Sequence, residues 1–176
     1  MNMVHVEKYN TAWPSWFEEI RNRIESQLQG IPHTIEHVGS TAIPGMTAKP
    51  IIDIDIVIEA GVFPAVKDRL AMISYIHRGN LGIPGREAFD LTDANIKPSL
   101  PPHHIYVCER SNNALQEHLA FRDFMRRHPE LRRRLSDLKR FLCEEHDNDR
   151  QAYMDGKADM VKEITGLAMN NAKQPS

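Results

Sequence analysis

The chain has 176 residues, 41% of them hydrophobic and 26% charged, which fits one ordinary globular domain and excludes disordered, collagen-like and coiled-coil classes. Its 22 lysines and arginines face 24 acids, a formal charge of −2, so the whole molecule has no positive excess to hold a nucleic acid nonspecifically. Cys108 and Cys143 lack CxxC spacing, which argues against a disulfide framework and a zinc ribbon.

The N-terminal MNMVHVEKYN carries no basic stretch followed by an apolar run, and Asp53 and Asp55 interrupt the most hydrophobic segment. The expectation is therefore a chain without a secretion signal or membrane span, in a reducing cytoplasm. Trp13, Phe17, Ile20, Ile24 and Leu28 recur at helical spacing, with Pro14 suited to the first turn and Gly30 to the end. Thr34 to Val38 reads as a short strand, and Pro50 to Ile58 as a buried central strand. Val66, Leu70 and Ile73 predict a helix within Gly61 to Tyr75, before a loop rich in glycine. Arg86 to Thr92 and His103 to Glu109 are the remaining strands.

After Ser111 the strand signals stop. Ser111 is the expected cap of a helix reaching about His128, Pro129 opens a second with Leu131, Leu135, Leu138 and Leu142 on one face, and Asp149 to Met169 forms a third. Asn170 to Ser176 is the expected frayed tail. The order predicts a single α+β domain over 1–176, with a mixed core at about 9–109 and a helical layer at 111–169.

The chemistry is concentrated in HVGSTAIPGMTAKPIIDIDI, residues 37–56. Strand alternation puts Asp53 and Asp55 on one face and Ile52, Ile54 and Ile56 on the other. Two like charges so close disfavour each other's ionisation, which a hard divalent cation such as Mg²⁺ or Mn²⁺ relieves. The plainer account is a pair of solvated aspartates at an exposed strand end. Upstream, Gly39-Ser40-Thr41 follows another strand, where a glycine permits close approach and amides and hydroxyls can bind phosphate oxygens. The residues after Gly39 do not make a P-loop, Gly79, Gly82 and Gly85 do not make GxGxxG, and no HExxH occurs.

Gly-Ser, a linker and then Asp-x-Asp on a hydrophobic strand resemble the signature of the DNA polymerase beta-like nucleotidyltransferase superfamily. The full string resembles the GrpB family within it more specifically. Leu119 to Phe124, Leu138-Lys139 and Tyr153 to Lys157 are similar to that family too, so the likeness runs from about Tyr9 to Ala168. The resemblance implies a nucleotidyltransferase-like small mixed β-sheet with flanking helices and a C-terminal layer of three helices. It also implies a site in which Asp53 and Asp55 hold the metal and Gly39 and Ser40 bind nucleotide phosphates. Active superfamily members usually add a third carboxylate from a neighbouring strand. Here His103 and His104 stand where that acid is expected, with Glu87, Asp90 and Glu109 as unranked substitutes.

His104 can ligate Mn²⁺ or act as a general base, which adds it to the catalytic candidates. His37 precedes the glycine turn, and a strand histidine satisfied by backbone is its plainer account. Lys49, at the entrance to the aspartate strand, can contact phosphate or serve as a surface lysine. Between Arg122 and Arg140 eight bases face three acids, a pattern usually seen on a solvated helical face. Arg122 and Lys139 are its phosphate-binding candidates. Lys157 joins them from the family-like segment, where Gly156 signals close helix packing. The reading is a metal-dependent nucleotidyltransferase using an NTP or another phosphorylated small molecule, with no membrane or nucleic acid partner. The alternatives are an inactive module that holds a phosphorylated ligand or partner protein, and a metal-dependent phosphohydrolase using His104.

Overall fold

The computed structural model describes residues 4–145 and 149–173. Its elements are α1 (Trp13–Gln27), β1 (His33–Val38), β2 (Ile52–Ile58), α2 (Phe63–Ala71), β3 (Tyr75–His77), β4 (Arg86–Leu91), β5 (His103–Glu109), α3 (Asn113–Arg127), α4 (Pro129–Glu145) and α5 (Arg150–Ala172). The chain is thus a mixed α+β protein with a five-stranded sheet. Residues 174–176, the end of the expected tail, lie outside the described residues, whereas Asn170 to Ala172 belong to α5.

Two compact units divide the chain. One comprises Ala12–Val38 and Ile51–Gln116; the other comprises Met1–Thr11, Gly39–Pro50 and Glu117–Ser176. Residues 39–50 belong with the helices, because Ile43 and Met46 are fully buried among Phe124, Met125, Leu135 and Ile164.

In the sheet unit the strand order is β1-β2-β5-β4-β3, with β2 and β5 parallel and the other neighbours antiparallel. Ile52, Ile54 and Ile56 are completely buried on one face of β2, as alternation requires. Trp13, Ile20, Ile24 and Leu28 likewise bury the predicted stripe of α1. The first residue of the short β3 is Tyr75, which the sequence reading placed at the end of the preceding helix. Apolar spacing continues through the buried Ile73, but Ser74 turns the chain at φ 69° after α2 has ended at Ala71. Asn112 takes the cap expected of Ser111, its Oδ1 accepting from the Ala114 and Leu115 amides.

In the helical unit, Asp149 Oδ1 accepts from the Ala152 amide at the start of α5. Gly156 lies against Leu142 so closely that a Cβ there would collide with the leucine side chain. Its missing side chain lets α5 seat directly on α4. Val4, Leu142, Cys143 and Tyr153 form a second buried cluster in this unit. No helix is long and apolar enough to cross a membrane, among the described residues.

Candidate functional site

The sheet unit places Asp53 and Asp55 on the face opposite the isoleucines, and register brings neighbours to each. Asp53 stands beside Val38 and His104, and Asp55 beside Glu36 and Tyr106. Directly paired strand residues have Cβ atoms about 4.5–5.5 Å apart, so the row Glu36, Asp55, Tyr106 is a set of neighbouring side chains. Asp55 is 0% exposed, which removes the solvated-aspartate account for it. Asp53 keeps a third of its side-chain surface, 33%, and its Oδ1 lies 2.9 Å from His104 Nδ1. A carboxylate can only accept, so His104 Nδ1 carries the proton and Nε2 is the ring's other nitrogen.

Arg86 lies over the Tyr106 ring at 4.3 Å, on the same face. Burial raises the Tyr106 hydroxyl, helped by the Asp53 and Asp55 charges and opposed by Arg86. The buried Cys108 thiol is pushed up to about 12 by burial and by Asp55. It is a packed, inert side chain, as expected for a small buried cysteine.

The unranked acids now have places. Glu87 is register partner of Val107 and Glu109 of Ile58, which puts both on the isoleucine face. Glu87 pairs with His77 at 2.5 Å. Both glutamates line a cavity of about 250 Å³ floored by Ile58, Phe63 and Val107. Asp90 shares the Asp53 face by alternation and bonds Arg78 Nε at 2.8 Å. His103 faces away from His104: its Nε2 meets Tyr75 Oη at 2.7 Å, and Nδ1 meets the Pro101 carbonyl at 2.6 Å. His37 is also on the isoleucine face, paired with Ile54 and stacked on Phe17 at 4.8 Å.

The phosphate candidates Gly39, Ser40, Thr41, Lys49, Arg122, Lys139 and Lys157 all fall in the helical unit. Gly39 adopts φ 71°, ψ −171°, a region essentially restricted to glycine, and leads into one 3-10 turn, Ser40–Ala42. Thr41 is buried in that turn. Lys139, only 3% exposed, donates from Nζ to Ser40 Oγ at 2.7 Å and to the Thr47 carbonyl at 3.0 Å. Ser136 Oγ accepts from the Thr47 amide, and Arg140 donates to Thr47 Oγ1. Arg126 donates twice to the Ala42 carbonyl, and Arg132 lies beside Gly45. The basic stretch is consequently not one solvated face. Several of its members hold residues 40–47 in place. Arg122 Nε bonds Asp123 at 2.8 Å, and Lys49 and Lys157 both reach the ring of the buried Tyr153, at 5.2 and 5.0 Å.

Residues 3–166 match the family model described as GrpB protein. The chain belongs to the GrpB family. It is 33% identical to UPF0157 protein YqkA of Bacillus subtilis over 97% of its own length, and spans about half, 48%, of that relative. It is 32% identical to Glutamate-rich protein GrpB of Alkalihalophilus pseudofirmus, covering 89% of this chain and 90% of the relative. The crystal structure of conserved protein GrpB from Enterococcus faecalis superposes with a TM-score of 0.83 at 27% identity, covering 97% of this chain and all of that one.

Two residues of this GrpB-family chain escaped the sequence reading. Glu36 becomes a neighbour of Asp55 only through the β1–β2 register. Its one linear signal was its place two residues from Val38 on an alternating strand. Thr47, which offers amide, carbonyl and hydroxyl to three α4 side chains, had no linear signal at all.

Proposed function

We propose that this GrpB-family chain is a metal-dependent nucleotidyltransferase that moves a nucleoside monophosphate from an NTP to an acceptor hydroxyl. Membership of the polymerase beta-like superfamily is part of the same proposal. The observation that supports it best is the pair Asp53 and Asp55 on one face of the central strand, with His104 and Glu36 in register beside them. Oxygen donors of this kind suit Mg²⁺ or Mn²⁺. Among the described residues no group of three His, Cys, Asp or Glu is arranged to hold an ion. The fit is therefore to an ion bound by two carboxylates and completed by waters and phosphate oxygens, as Mg²⁺ commonly is.

When bound, the ion neutralises charge developing at the reacting phosphate. His104 fixes the orientation of Asp53 through its Nδ1–H. Within the helical unit by itself, Lys139 Nζ holds the Ser40 hydroxyl next to Gly39, an arrangement of cation, hydroxyl and open backbone that suits a phosphate oxygen. Thermal-shift titration with NTPs and Mg²⁺ or Mn²⁺ tests the reading. A metal-dependent shift absent in Asp53→Asn, with pyrophosphate released once an acceptor is supplied, is expected; nucleotide binding indifferent to metal overturns it.

The second reading is a module that holds a phosphorylated ligand without turnover. It is favoured by the engagement of Asp53 with His104 and by the lack of a three-ligand group among the described residues. Stoichiometric ligand binding with no pyrophosphate release across an acceptor panel would select it.

A further inference from the structure

The end of β2 away from Asp53 borders a cavity that the nucleotidyl-transfer reading does not use. β2 and β5 run parallel and finish at Ile58 and Glu109, which are register partners. Asp53 lies five residues back along β2, about 16 Å away at the rise of an extended strand, and on the opposite face. The cavity, about 250 Å³, is walled by Ile58, Phe63 and Val107 and also lined by Glu87, Glu109 and Ser111. All six belong to the sheet unit.

Its rim is tied together by hydrogen bonds. Asn112 Nδ2 donates to the Pro84 carbonyl at 3.0 Å while its Oδ1 caps α3, so the loop before β4 is pinned to that helix. Gly85 makes this possible, since at φ 73° a Cβ there would stand 2.5 Å from Asn112 Nδ2. The Asn112 amide closes a turn onto the Glu109 carbonyl at 2.9 Å, with Ser111 inside the turn. Glu87 Oε2 lies 2.5 Å from His77 Nε2, which carries the proton because a carboxylate only accepts; Oε1 is left for another donor. The arginines nearest in sequence are committed elsewhere. Arg110 bonds Glu59 at 3.1 Å, Arg78 bonds Asp90 at 2.8 Å, and Arg86 lies over Tyr106 on the other face. Glu109 has no ion-pair partner among the described residues.

Glu87 faces Val107, and Glu109 is two residues further along β5, so the glutamates are diagonal neighbours about 7–8 Å apart. That spacing is too wide for a shared proton and leaves room for one cationic group between them. An alkylammonium presents three N–H donors, and the acceptors open to it are the two carboxylates and the Ser111 hydroxyl. The apolar wall gives a hydrated metal ion nothing, whereas it suits an aliphatic stem, and the Phe63 ring adds attraction for a cation. A volume of about 250 Å³ lies just below the range of about 300–1,000 Å³ usual for drug-sized ligands, which fits a stem of a few carbons.

We propose that this cavity binds a small primary alkylammonium, its charged end held by Glu87, Glu109 and Ser111 and its stem against Phe63 and Val107. The site goes beyond the nucleotidyl-transfer reading and does not depend on it.

Calorimetric titration of the full chain with n-butylammonium chloride, at neutral pH in buffer with EDTA, tests the proposal. Saturable binding is expected, roughly tenfold or more tighter than for butan-1-ol, which has the stem without the charge. Butyltrimethylammonium, which has the charge but no N–H, is expected to bind roughly tenfold or more weakly than butylammonium, a contrast that a merely acidic surface does not produce. Glu109→Gln, at an exposed residue with no ion pair to lose, weakens butylammonium binding by roughly tenfold or more, and Glu109→Asp retains part of the affinity. Amide shifts on titration are expected from Val107 to Asn112 and lost in Glu109→Gln. Asp53→Asn is expected to bind butylammonium as the parent does, whether or not it loses its metal-dependent NTP shift, so the two readings fail separately. No saturable binding, equal binding of the primary and the trimethylated amine, no effect of Glu109→Gln, or binding lost in Asp53→Asn overturns the proposal.

Discussion

Glu36 and Asp55 stand directly opposite each other across the antiparallel β1–β2 pair, on the face that also carries Asp53 and His104. If this face binds Mn²⁺ as proposed, Glu36 is near enough to orient a ligand or a metal-bound water. Glu36→Gln is then expected to weaken Mn²⁺ affinity by roughly tenfold, within the range for residues that support metal ligands. Paramagnetic titration of free Mn²⁺ measures it, and a Glu36→Gln curve superimposable on the parent's would show that the register pairing has no bearing on the metal.

Lys139 is the central tie between α4 and the turn at Ser40. Lys139→Met leaves the Thr47 carbonyl and Ser40 hydroxyl without this donor, at an expected cost of about 1–3 kcal/mol. Ser40→Ala removes one acceptor and leaves the carbonyl bond, so its cost is expected to be smaller, about 0.5–1.5 kcal/mol. Urea unfolding of both variants tests the order; a larger loss for Ser40→Ala contradicts it.

Gly39 is tested by adding a single methyl group. At φ 71°, ψ −171°, Gly39→Ala carries backbone strain of about 1–3 kcal/mol, read as a lower urea midpoint at unchanged slope. A stability equal to the parent's would mean the turn relaxes freely.

Gly156 gives the opposite test of helix propensity. Alanine inside a helix ordinarily gains about 1 kcal/mol over glycine, yet here the new Cβ meets Leu142. Gly156→Ala is expected to destabilise by about 1–3 kcal/mol, the range for overpacking, and Leu142→Ala in the same chain should recover part of that loss. Additive losses in the double variant would exclude a steric cause.

Stability should depend on pH through Tyr75 and His103. Burial raises the Tyr75 hydroxyl to about 12, against an opposing effect of Arg23. The unfolded tyrosine therefore loses its proton first, and stability falls as pH rises from about 10 to about 12. Burial lowers His103 below 6.5, so the unfolded histidine gains a proton first and stability is lost as pH falls below that value. Tyr75→Phe should flatten the alkaline limb of a thermal-melt profile; an unchanged alkaline limb would remove Tyr75 as its source.

Patterns carried by neighbouring residues were readable in the sequence, and patterns carried by pairing were not. The strand His103 to Glu109 and the α1 stripe follow from alternation and helical spacing, both local properties. So did the assignment of His103 and His104 to opposite faces. The short β3 was lost because three residues hold too little alternation to outweigh the helical spacing before them. Glu36 required the antiparallel register, and the roles of Arg126, Lys139 and Arg140 required knowing which distant backbone they would reach. Composition could mark these bases only as a charge run.

The insertion of Gly39–Pro50 into the sheet unit's sequence also fixes an order of events during synthesis. All strands are complete once Glu109 has been made, so the sheet can form while most of α3 and all of α4 and α5 are still untranslated. Ser40, Thr47, Ile43 and Met46 emerge early but gain Lys139, Ser136 and Leu135 only about ninety residues later. A ribosome that stalls before α4 therefore presents a nascent chain whose glycine-serine turn is already made and has nothing to close on it.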